Sequence, residues 1–404
     1  MKSLPLFGLL FITLLFGCSD DDVRTVEYTL ASPITIPVSD VRTSIAIEAP
    51  RDIVQSGKMY VYQNYVFVND RNLGVHIIDN SNPASPQKLK FLKIPGNEDI
   101  SIKDNRLFAD SYVDLVVFDI SNINSIQLIN RLENVFDSYD FDVPEEADTF
   151  TLEGVDLENE IIIDWTLSIE SYEVSNDISV LVDVAATDVG IGGSLARFQI
   201  VENYLYAVDV FELDVFDISN LSNPVAVGNQ GIAWDIETLF YAEDYLYIGS
   251  AGGVYIYDLV DPSNPNYVSE VRHVLGCDPV VVQGDYAYVT IRGGNFCGQQ
   301  LSQLEVINIS NKFNPYVETI VTLDEPYGLG VRNNSLYVSD GEAGLKLFNI
   351  EDPVGIFLET EFPDIVIFDV IPMEDKLLLI GENKLYQYSY TEGGLTLIST
   401  FSLD

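Results

Sequence analysis

The sequence predicts an all-β fold, a seven-bladed β-propeller of four-stranded antiparallel blades with an acidic insertion between the second and third repeats. Three observations predict it: a pattern that recurs seven times, runs of β-branched and aromatic residues in each copy, and no helical period in the unit. Each copy places an apolar strand after a turn residue, namely Asn64, Asn105, Asn203, Asp244, Asp285, Asn334 and Asp375. These lie 41, 98, 41, 41, 49 and 41 residues apart, so one unit is 41 residues and two units carry insertions.

The first segment has the pattern of a signal peptide. An apolar run from Leu4 to Phe16 follows Met1-Lys2, and it is too short to span a membrane as a helix. The stretch Leu15-Phe16-Gly17-Cys18 resembles the lipobox of bacterial lipoproteins, which implies cleavage before Cys18 and lipidation of that residue. An ordinary secretory signal with an incidental cysteine is the alternative. We expect residues 1–17 to be the signal peptide, and residues 18–43 to be the lipidated cysteine and a tether.

The residues after Cys18 bear on localisation. Ser19-Asp20-Asp21-Asp22 resembles the surface-export signal of lipoproteins in the Bacteroidetes group, whereas a solvated charge cluster in a linker is the alternative. Several acyl chains on one residue anchor a protein stably to a membrane. The expectation is an outer membrane lipoprotein exposed at the cell surface.

The propeller is assigned to residues 44–404. The fourth unit, which carries no insertion, shows its strands most clearly: Thr238 to Tyr241, Tyr245 to Gly249, Val254 to Tyr257 and Tyr267 to Val271. Gly, Asn, Asp or Pro separate these runs, as is typical of strands joined by tight turns. Closing four-stranded units into a ring removes the exposed sheet edges that promote aggregation.

A short polar residue ends the third strand in six units. The positions are Asp79, Asp119, Asp217, Asp258, Asn308 and Asn349. Such a side chain accepts hydrogen bonds from nearby backbone amides and fixes a turn, so we assign these residues a structural role.

The strands before these turns carry a family resemblance. Leu115 to Asp119, Leu213 to Asp217, Leu304 to Asn308 and Val75 to Asp79 resemble the LVIVD repeat. Apart from the insertion, the chain from about 50 to 390 is similar to LVIVD-repeat β-propeller lipoproteins of the Bacteroidetes type. The resemblance implies no catalytic residues. The last unit lacks the Asp, so its turn must be held differently.

The first insertion, at about residues 137–190, is the most acidic part of the chain. From Leu132 to Ala196 there are 17 Asp plus Glu and no Lys or Arg. Ile161 to Trp165 and Ile178 to Val184 nevertheless have strand composition, which predicts a folded hairpin or subdomain. An eighth, degenerate blade is the rival interpretation.

The second insertion falls in the fifth unit and contains Cys297. This loop and the connection that contains Cys277 emerge at the same end of an antiparallel blade, so a disulfide between them is expected in an exported protein. Unpaired thiols are the alternative.

Charge excludes one class of partner. The chain has 63 acidic and 20 basic residues, a net charge of −43, which opposes binding to nucleic acid. Catalytic motifs such as a nucleophile elbow, a phosphate loop or a zinc helix are absent from the sequence. Of the two histidines, His76 lies inside a third strand and is predicted to be structural.

One end of the predicted ring gathers aromatic and acidic loop residues. The candidate binding face comprises Asp70, Asp99, Asp110, Tyr112, Asp114, Asp209, Trp234, Asp235, Arg292, Phe296, Tyr327 and Asp340, with Arg71, Phe211, Glu212 and Glu342 beside them. Ordinary loop chemistry explains such a set equally well. Bound Ca²⁺ is a subsidiary hypothesis.

Two function classes remain open. The first is a non-catalytic, lipid-anchored binding or interaction scaffold for a protein or glycan, and the alternative is a propeller enzyme, hydrolase or lyase, with a central acidic site. Sequence alone names neither ligand nor oligomeric state.

Overall fold

The computed structural model describes residues 24–136, 143–144, 146–174, 196–234, 236–272, 279–293, 301–381 and 383–404. Within these ranges the fold is all-β, with seven successive antiparallel sheets and one separate three-stranded sheet. The described chain starts with β1 (Arg24–Pro37), α1 (Val38–Thr43) and β2 (Ala46–Glu48).

The first four repeats form sheets 1 to 4. Sheet 1 contains β3 (Ser56–Tyr62), β4 (Tyr65–Asp70), β5 (Gly74–Asp79) and β6 (Gln87–Lys93), with β2 paired to β6. Sheet 2 contains β7 (Ile100–Lys103), β8 (Arg106–Ser111), β9 (Asp114–Asp119) and β10 (Gln127–Leu132), with a 3₁₀ turn at Ile123–Ser125. After β11 (Thr149–Phe150) and β12 (Glu160–Val174), sheet 3 contains β13 (Phe198–Val201), β14 (Tyr204–Val208), β15 (Glu212–Asp217) and β16 (Val225–Gly231). Sheet 4 contains β17 (Ile236–Ala242), β18 (Tyr245–Ser250), β19 (Gly253–Asp258) and β20 (Asn266–Arg272).

The remaining repeats form sheets 5 to 7. Sheet 5 contains β21 (Val280–Gln283), β22 (Tyr286–Ile291), β23 (Gln303–Asn308) and β24 (Tyr316–Thr322). Sheet 6 contains β25 (Leu329–Arg332), β26 (Ser335–Ser339), β27 (Leu345–Asn349) and β28 (Phe357–Phe362). Sheet 7 contains β29 (Asp369–Pro372), β30 (Lys376–Ile380), β31 (Lys384–Thr391) and β32 (Gly394–Ser402).

Local geometry repeats from sheet to sheet. The predicted turn residues lie in the hairpin between the first and second strands, where Asn105 and Asp244 adopt left-handed φ values of 60° and 64°. Asn and Asp tolerate this region better than most residues. In every one of the seven sheets a β-bulge interrupts the pairing of the third and fourth strands. The 41-residue repeat is therefore one structural unit.

The predicted role of the residue that ends the third strand is confirmed in all six units. Each side chain accepts a hydrogen bond from the amide two residues later, as Asp79 does from Ser81 at 2.8 Å and Asn349 does from Glu351 at 3.0 Å. Sheet 7 has Ser389 at this place. Its third strand instead continues to Thr391, whose hydroxyl donates to the Gly394 carbonyl across a tight turn.

Apolar side chains pack between successive sheets. Each hydrophobic cluster joins one sheet to the next, from sheets 1 and 2 through to sheets 6 and 7. A further cluster joins sheet 7 to sheet 1 through Leu378 and Ile380 on one side and Val66 and Val68 on the other. The first strands also contact one another in series, and β29 contacts β3.

The junction between sheets 7 and 1 differs chemically from the other six. Elsewhere an apolar residue of the third strand shares a cluster with an apolar residue of the next sheet, as Ile77 does with Ile120 and Val306 does with Ile350. The equivalent pair here is Gln387 and Asn80. Their side-chain amides exchange two hydrogen bonds of 2.9 and 2.7 Å, and both residues are buried.

The three-stranded sheet has the order β11-β1-β12, with β1 antiparallel to β12 and parallel to β11. The prediction of a tether over residues 18–43 does not hold for residues 24–37, which form a long strand. The backbone N–H and C=O groups of this strand pair with β12 along almost its full length. In a flexible tether the same groups would bond to water. The described part of the insertion thus forms this mixed sheet and does not have the four-stranded antiparallel order of an eighth blade.

Several sequence predictions fall outside the described residues. These are lipidated Cys18, the cysteine pair Cys277 and Cys297, and the strand predicted at residues 178–184. In the ranges that are described, no helix is both long and apolar enough to cross a membrane.

Substitutions at the junction of sheets 7 and 1 should show how much the hydrogen-bonded amides of Asn80 and Gln387 contribute to stability. Asn80→Ile or Gln387→Val alone leaves one buried amide without its partner, and we expect each to lower the free energy of unfolding by about 1–3 kcal/mol. The double variant recreates the apolar pair of the other junctions and should recover most of that loss. Urea unfolding of the four proteins checks this, and additive losses in the double variant would contradict it.

Candidate functional site

A cavity of about 300 Å³ lies over sheets 2 and 3, beneath the three-stranded sheet. Its walls come from the loops that enter and leave the inner strands of the two sheets, together with β12. The acidic lining residues are Glu98, Asp99, Asp110, Glu160, Asp164 and Asp209, and the aromatic ones are Tyr112, Phe136, Trp165, Phe198 and Phe211. Among the described lining residues, Arg197 is the single base.

Asp110 fixes the loop that leads into sheet 2. It lies at the end of β8, and its carboxylate accepts hydrogen bonds from the Glu98 amide at 3.0 Å, the Asp99 amide at 3.0 Å and the Asn97 side chain at 2.7 Å. Amide donors of a loop that turn inward need such an acceptor, because an unpaired buried N–H is destabilising. The loop is thereby held with Glu98 facing the cavity.

Asp99 ties three sheets together. Its carboxylate accepts the backbone amides of Arg197 at 2.5 Å and Phe198 at 3.0 Å, where sheet 3 begins, and lies 3.4 Å from the Lys58 ammonium of sheet 1. Only 5% of Asp99 is exposed. Arg197 in turn forms an ion pair with Glu98. Much of the lining charge therefore already serves to join neighbouring sheets.

Aromatic side chains shape the rest of the cavity. Tyr112 adopts a left-handed φ of 52°, and its ring covers Gly96 so closely that a Cβ there would lie 2.4 Å from the ring. Glycine is required at that position for close approach. On β12, Trp165 contacts Phe150 edge to face at 5.7 Å, whereas Phe211 on the opposite rim is 42% exposed.

Two interacting carboxyl groups of the cavity, Asp110 and Glu98, have opposite pKa shifts. Burial and the neighbouring Glu98 carboxylate raise the pKa of Asp110 to about 7 from 3.8. Burial acts to raise the pKa of Glu98 as well, but Arg197, Lys58 and Arg71 outweigh it and lower that pKa. Near neutral pH, Glu98 is therefore ionised, while Asp110 is present in both its protonated and its ionised form.

In sheets 1 and 6, Asp70 and Asp340 clamp the entry loop from a position one residue later in the second strand than Asp110, where sheet 2 has Ser111. Asp70 accepts the amides of residues 54 and 55, and Asp340 accepts those of residues 324 and 325, so all three clamp the entry loop of their own sheet. In both of these sheets a cation contacts the carboxylate directly, Arg51 in sheet 1 and Lys346 in sheet 6. Among the described residues, Asp110 has no such ion pair.

The structure brings together only part of the predicted binding face. Asp99, Asp110, Tyr112 and Asp209 line the cavity, and Phe211, also noted from the sequence, lines it with them.

The other predicted positions lie elsewhere. Asp70 and Asp340 are fully buried loop clamps, and Asp114 is buried against Arg42 and Arg131, where it holds α1 on sheet 2.

Arg292 lies over the ring of Tyr327, 4.2 Å from its centre, and Trp234 is half exposed. Asp235 and Phe296 fall outside the described residues.

Neither a metal cluster nor His76 adds to the described site. Across the described ranges, no group of three or more His, Cys, Asp or Glu side chains could hold a metal ion. His76 is buried, lies 3.2 Å from Asp70 and packs on Phe91. The prediction of a structural histidine is thus confirmed.

Sequence reasoning missed Glu98, Arg197, Lys58 and the residues of β12. One signal was available, since Arg197 is the first base after the 65 residues from Leu132 to Ala196 that contain none. A lone cation at the end of such a stretch has a strong electrostatic reason to pair.

Five stretches match the model of the LVIVD repeat, at residues 55–91, 97–133, 192–231, 230–273 and 277–322. Together they cover half of the 404 residues. The chain belongs to the LVIVD-repeat family. The matched stretches of this LVIVD-repeat protein coincide with sheets 1 to 5, whereas sheets 6 and 7 continue the same architecture beyond the matches.

Solved structures share the fold of this LVIVD-repeat protein at low identity. A protein from Lactobacillus plantarum is 11% identical, with a TM-score of 0.55 over 86% of this chain and 95% of that one. A chain of a mitotic checkpoint complex is 10% identical, with a TM-score of 0.54 over 94% and 96%. The computationally designed protein Ika8 is 10% identical, with a TM-score of 0.53 over 88% of both chains. At such identity the likeness shows the fold alone, and no curated protein matches the sequence.

We expect substitutions of Asp70 and Asp110 to alter stability with opposite pH dependence. The folded-state pKa of Asp110 is raised to about 7, so the folded chain binds the additional proton and Asp110's contribution to stability falls as the pH rises from about 4 to about 7. Burial acts to raise the pKa of Asp70, but hydrogen bonds from His76, Gln55 and Arg51 lower it. The contribution of Asp70 is therefore present above its unfolded-state pKa and is lost as the pH falls through the folded-state value.

Urea unfolding of Asp70→Asn and Asp110→Asn between about pH 3 and pH 8 checks both signs. Relative to the parent chain, Asp110→Asn should gain stability as the pH rises, by at most about 1.4 kcal/mol per unit of pKa shift. Asp70→Asn should lose stability over the same rise. Parallel pH profiles for the two variants would contradict the assignment.

Proposed function

We propose that this LVIVD-repeat protein is a closed seven-bladed propeller, anchored by lipid at Cys18 and exposed at the cell surface, that acts as a non-catalytic binding scaffold for a protein or glycan. Closure is supported by the serial contacts of the seven sheets and by the cluster and the amide pair between sheets 7 and 1. Anchoring rests on the lipobox-like sequence that ends at Cys18 and on the acidic run after it. The pair Cys277 and Cys297 would form a disulfide in the exported protein.

The observation that carries the binding role is the cavity over sheets 2 and 3. It is concave, has aromatic walls and places a few polar groups at fixed positions, which is the usual composition of a ligand site. A rigid scaffold holds these groups, because Asp99 and Asp110 clamp the loops that carry them. Phe211 at the rim is exposed and available to a partner.

A binding scaffold predicts loss of capture when this rim is truncated. Intact cells that display the chain should retain a glycan or surface-protein partner, and Phe211→Ala should weaken retention by about ten-fold or more, since aromatic anchors dominate interface energies. Phe313→Ala is the matched control, because Phe313 is 76% exposed and lies in the turn between β23 and β24, outside the cavity lining. Equal capture by both variants would contradict a role for the cavity.

One observation favours a second candidate, an acid and base enzyme. Asp110, with a pKa of about 7, and ionised Glu98 face one cavity, and such a split suits proton donation by one group and acceptance by the other. The reaction class would be hydrolysis or elimination, as expected of a propeller hydrolase or lyase.

Turnover on a panel of glycan and ester substrates tests the enzyme candidate. We expect Asp110→Asn and Glu98→Gln each to reduce kcat/KM by about 100-fold or more, with one limb of the native pH profile near 7. Asp340→Asn, a loop clamp outside the cavity, should retain turnover. Activity that persists in both cavity variants would exclude this candidate.

A further inference from the structure

We propose that the cavity binds an organic cation, an alkylammonium or guanidinium group. The inference rests on the proposed binding function and names its ligand class. It starts from the charge of the lining, where six carboxyl groups face one guanidinium. Arg197 pairs with Glu98, and Lys58 contacts Asp99, so these two cations neutralise only part of the set.

Asp110 is the group that a cationic ligand would neutralise. The aspartates that clamp the entry loops of sheets 1 and 6 each contact a cation directly, Arg51 on Asp70 and Lys346 on Asp340. Sheet 2 supplies three N–H donors to Asp110 but, among the described residues, no cation against it. A ligand cation in the cavity would supply the charge that this clamp lacks.

The aromatic lining suits the same class of ligand. Tyr112, Trp165 and Phe211 surround the cavity, and the faces of aromatic rings attract ammonium and guanidinium groups most strongly where water is excluded. An alkyl stem next to the charge would contact Val113 and Phe198 and remain out of water. The net charge of −43 steers cations toward the chain.

Binding should be linked to the proton on Asp110. The charged groups around it are Glu98 and Asp99, with Lys58, Arg71 and Arg197 acting on Glu98, and burial with Glu98 raises the pKa of Asp110 to about 7. A bound cation favours the ionised carboxylate, so binding releases a proton below this pH and becomes tighter as the pH rises.

Calorimetry on the full chain with n-pentylamine as the probe tests the proposal. We expect n-pentylamine to bind at least about ten-fold more tightly than its neutral counterpart n-pentanol, and its affinity to rise several-fold between about pH 6 and pH 8. Asp110→Asn should weaken binding by about ten-fold and remove the pH dependence. Asp340→Asn removes a loop clamp that lies outside the cavity and should leave affinity unchanged.

Phe211→Ala provides a readout that does not depend on Asp110 or its loop. This substitution should weaken the binding of n-pentylamine by several-fold. A peptide with a central lysine, compared with its norleucine analogue, shows whether the cation comes from a free amine or from a protein side chain. Equal binding of amine and alcohol, or unchanged binding by Asp110→Asn, would overturn the proposal. Capture of a neutral glycan through Phe211 with no binding of n-pentylamine would overturn the cation assignment and leave the scaffold function standing.

Discussion

The fold depends on the contact between its first and last sheets. Each sheet buries its two apolar faces against the sheets before and after it. Sheet 1 and sheet 7 each have one face that no sheet next to them in sequence covers, and these two faces pack on each other. At the other six junctions the pair at this position is apolar, whereas here Asn80 lies against Gln387 beside the apolar cluster. An amide that faced any other sheet would lose its partner, so the pair restricts which two sheets can meet there.

Repetition also explains how a site can arise from a structural motif. An aspartate near the end of the second strand accepts amides of the entry loop in sheets 1, 2 and 6, although Asp110 lies one residue earlier in its strand than Asp70 and Asp340. The aspartates of sheets 1 and 6 contact a cation, whereas Asp110 lines a cavity. The segment between sheets 2 and 3 then supplies β12 as a roof. The candidate site therefore arises where a loop-clamping aspartate has no cation of the chain against it among the described residues.

The sequence predicted those features whose causes are local. The turns at Asp79 and Asn349 depend on hydrogen bonds between residues two apart. Because these turns and the hairpins recur every 41 residues, the repeat makes them recognisable in the sequence. The pairing of β1 with β12 could not be predicted, because it joins segments more than 100 residues apart that have no repeat relation. The cavity was predicted in part, since Asp110 and Tyr112 were identified as loop residues. The hydrogen bonds of Asp110 to amides 11 and 12 residues earlier could not be predicted, nor could the ion pair of Glu98 with Arg197. Both depend on the folded path of the chain. Burial of Asp70 and Asp340 follows from the same clamp.

The long ladder between β1 and β12 has a mechanical consequence. Arg24 pairs with Val174 at one end and Pro37 pairs with Glu160 at the other. β1 leads into sheet 1 from Pro37, whereas β12 is joined in chain order to sheet 2 at Glu160 and to sheet 3 at Val174. A tensile load applied ahead of Arg24 and directed along β1 would therefore slide β1 past β12, in shear, and not unzip the two strands one bond at a time. Many backbone hydrogen bonds would share the force before any of it could reach the sheets.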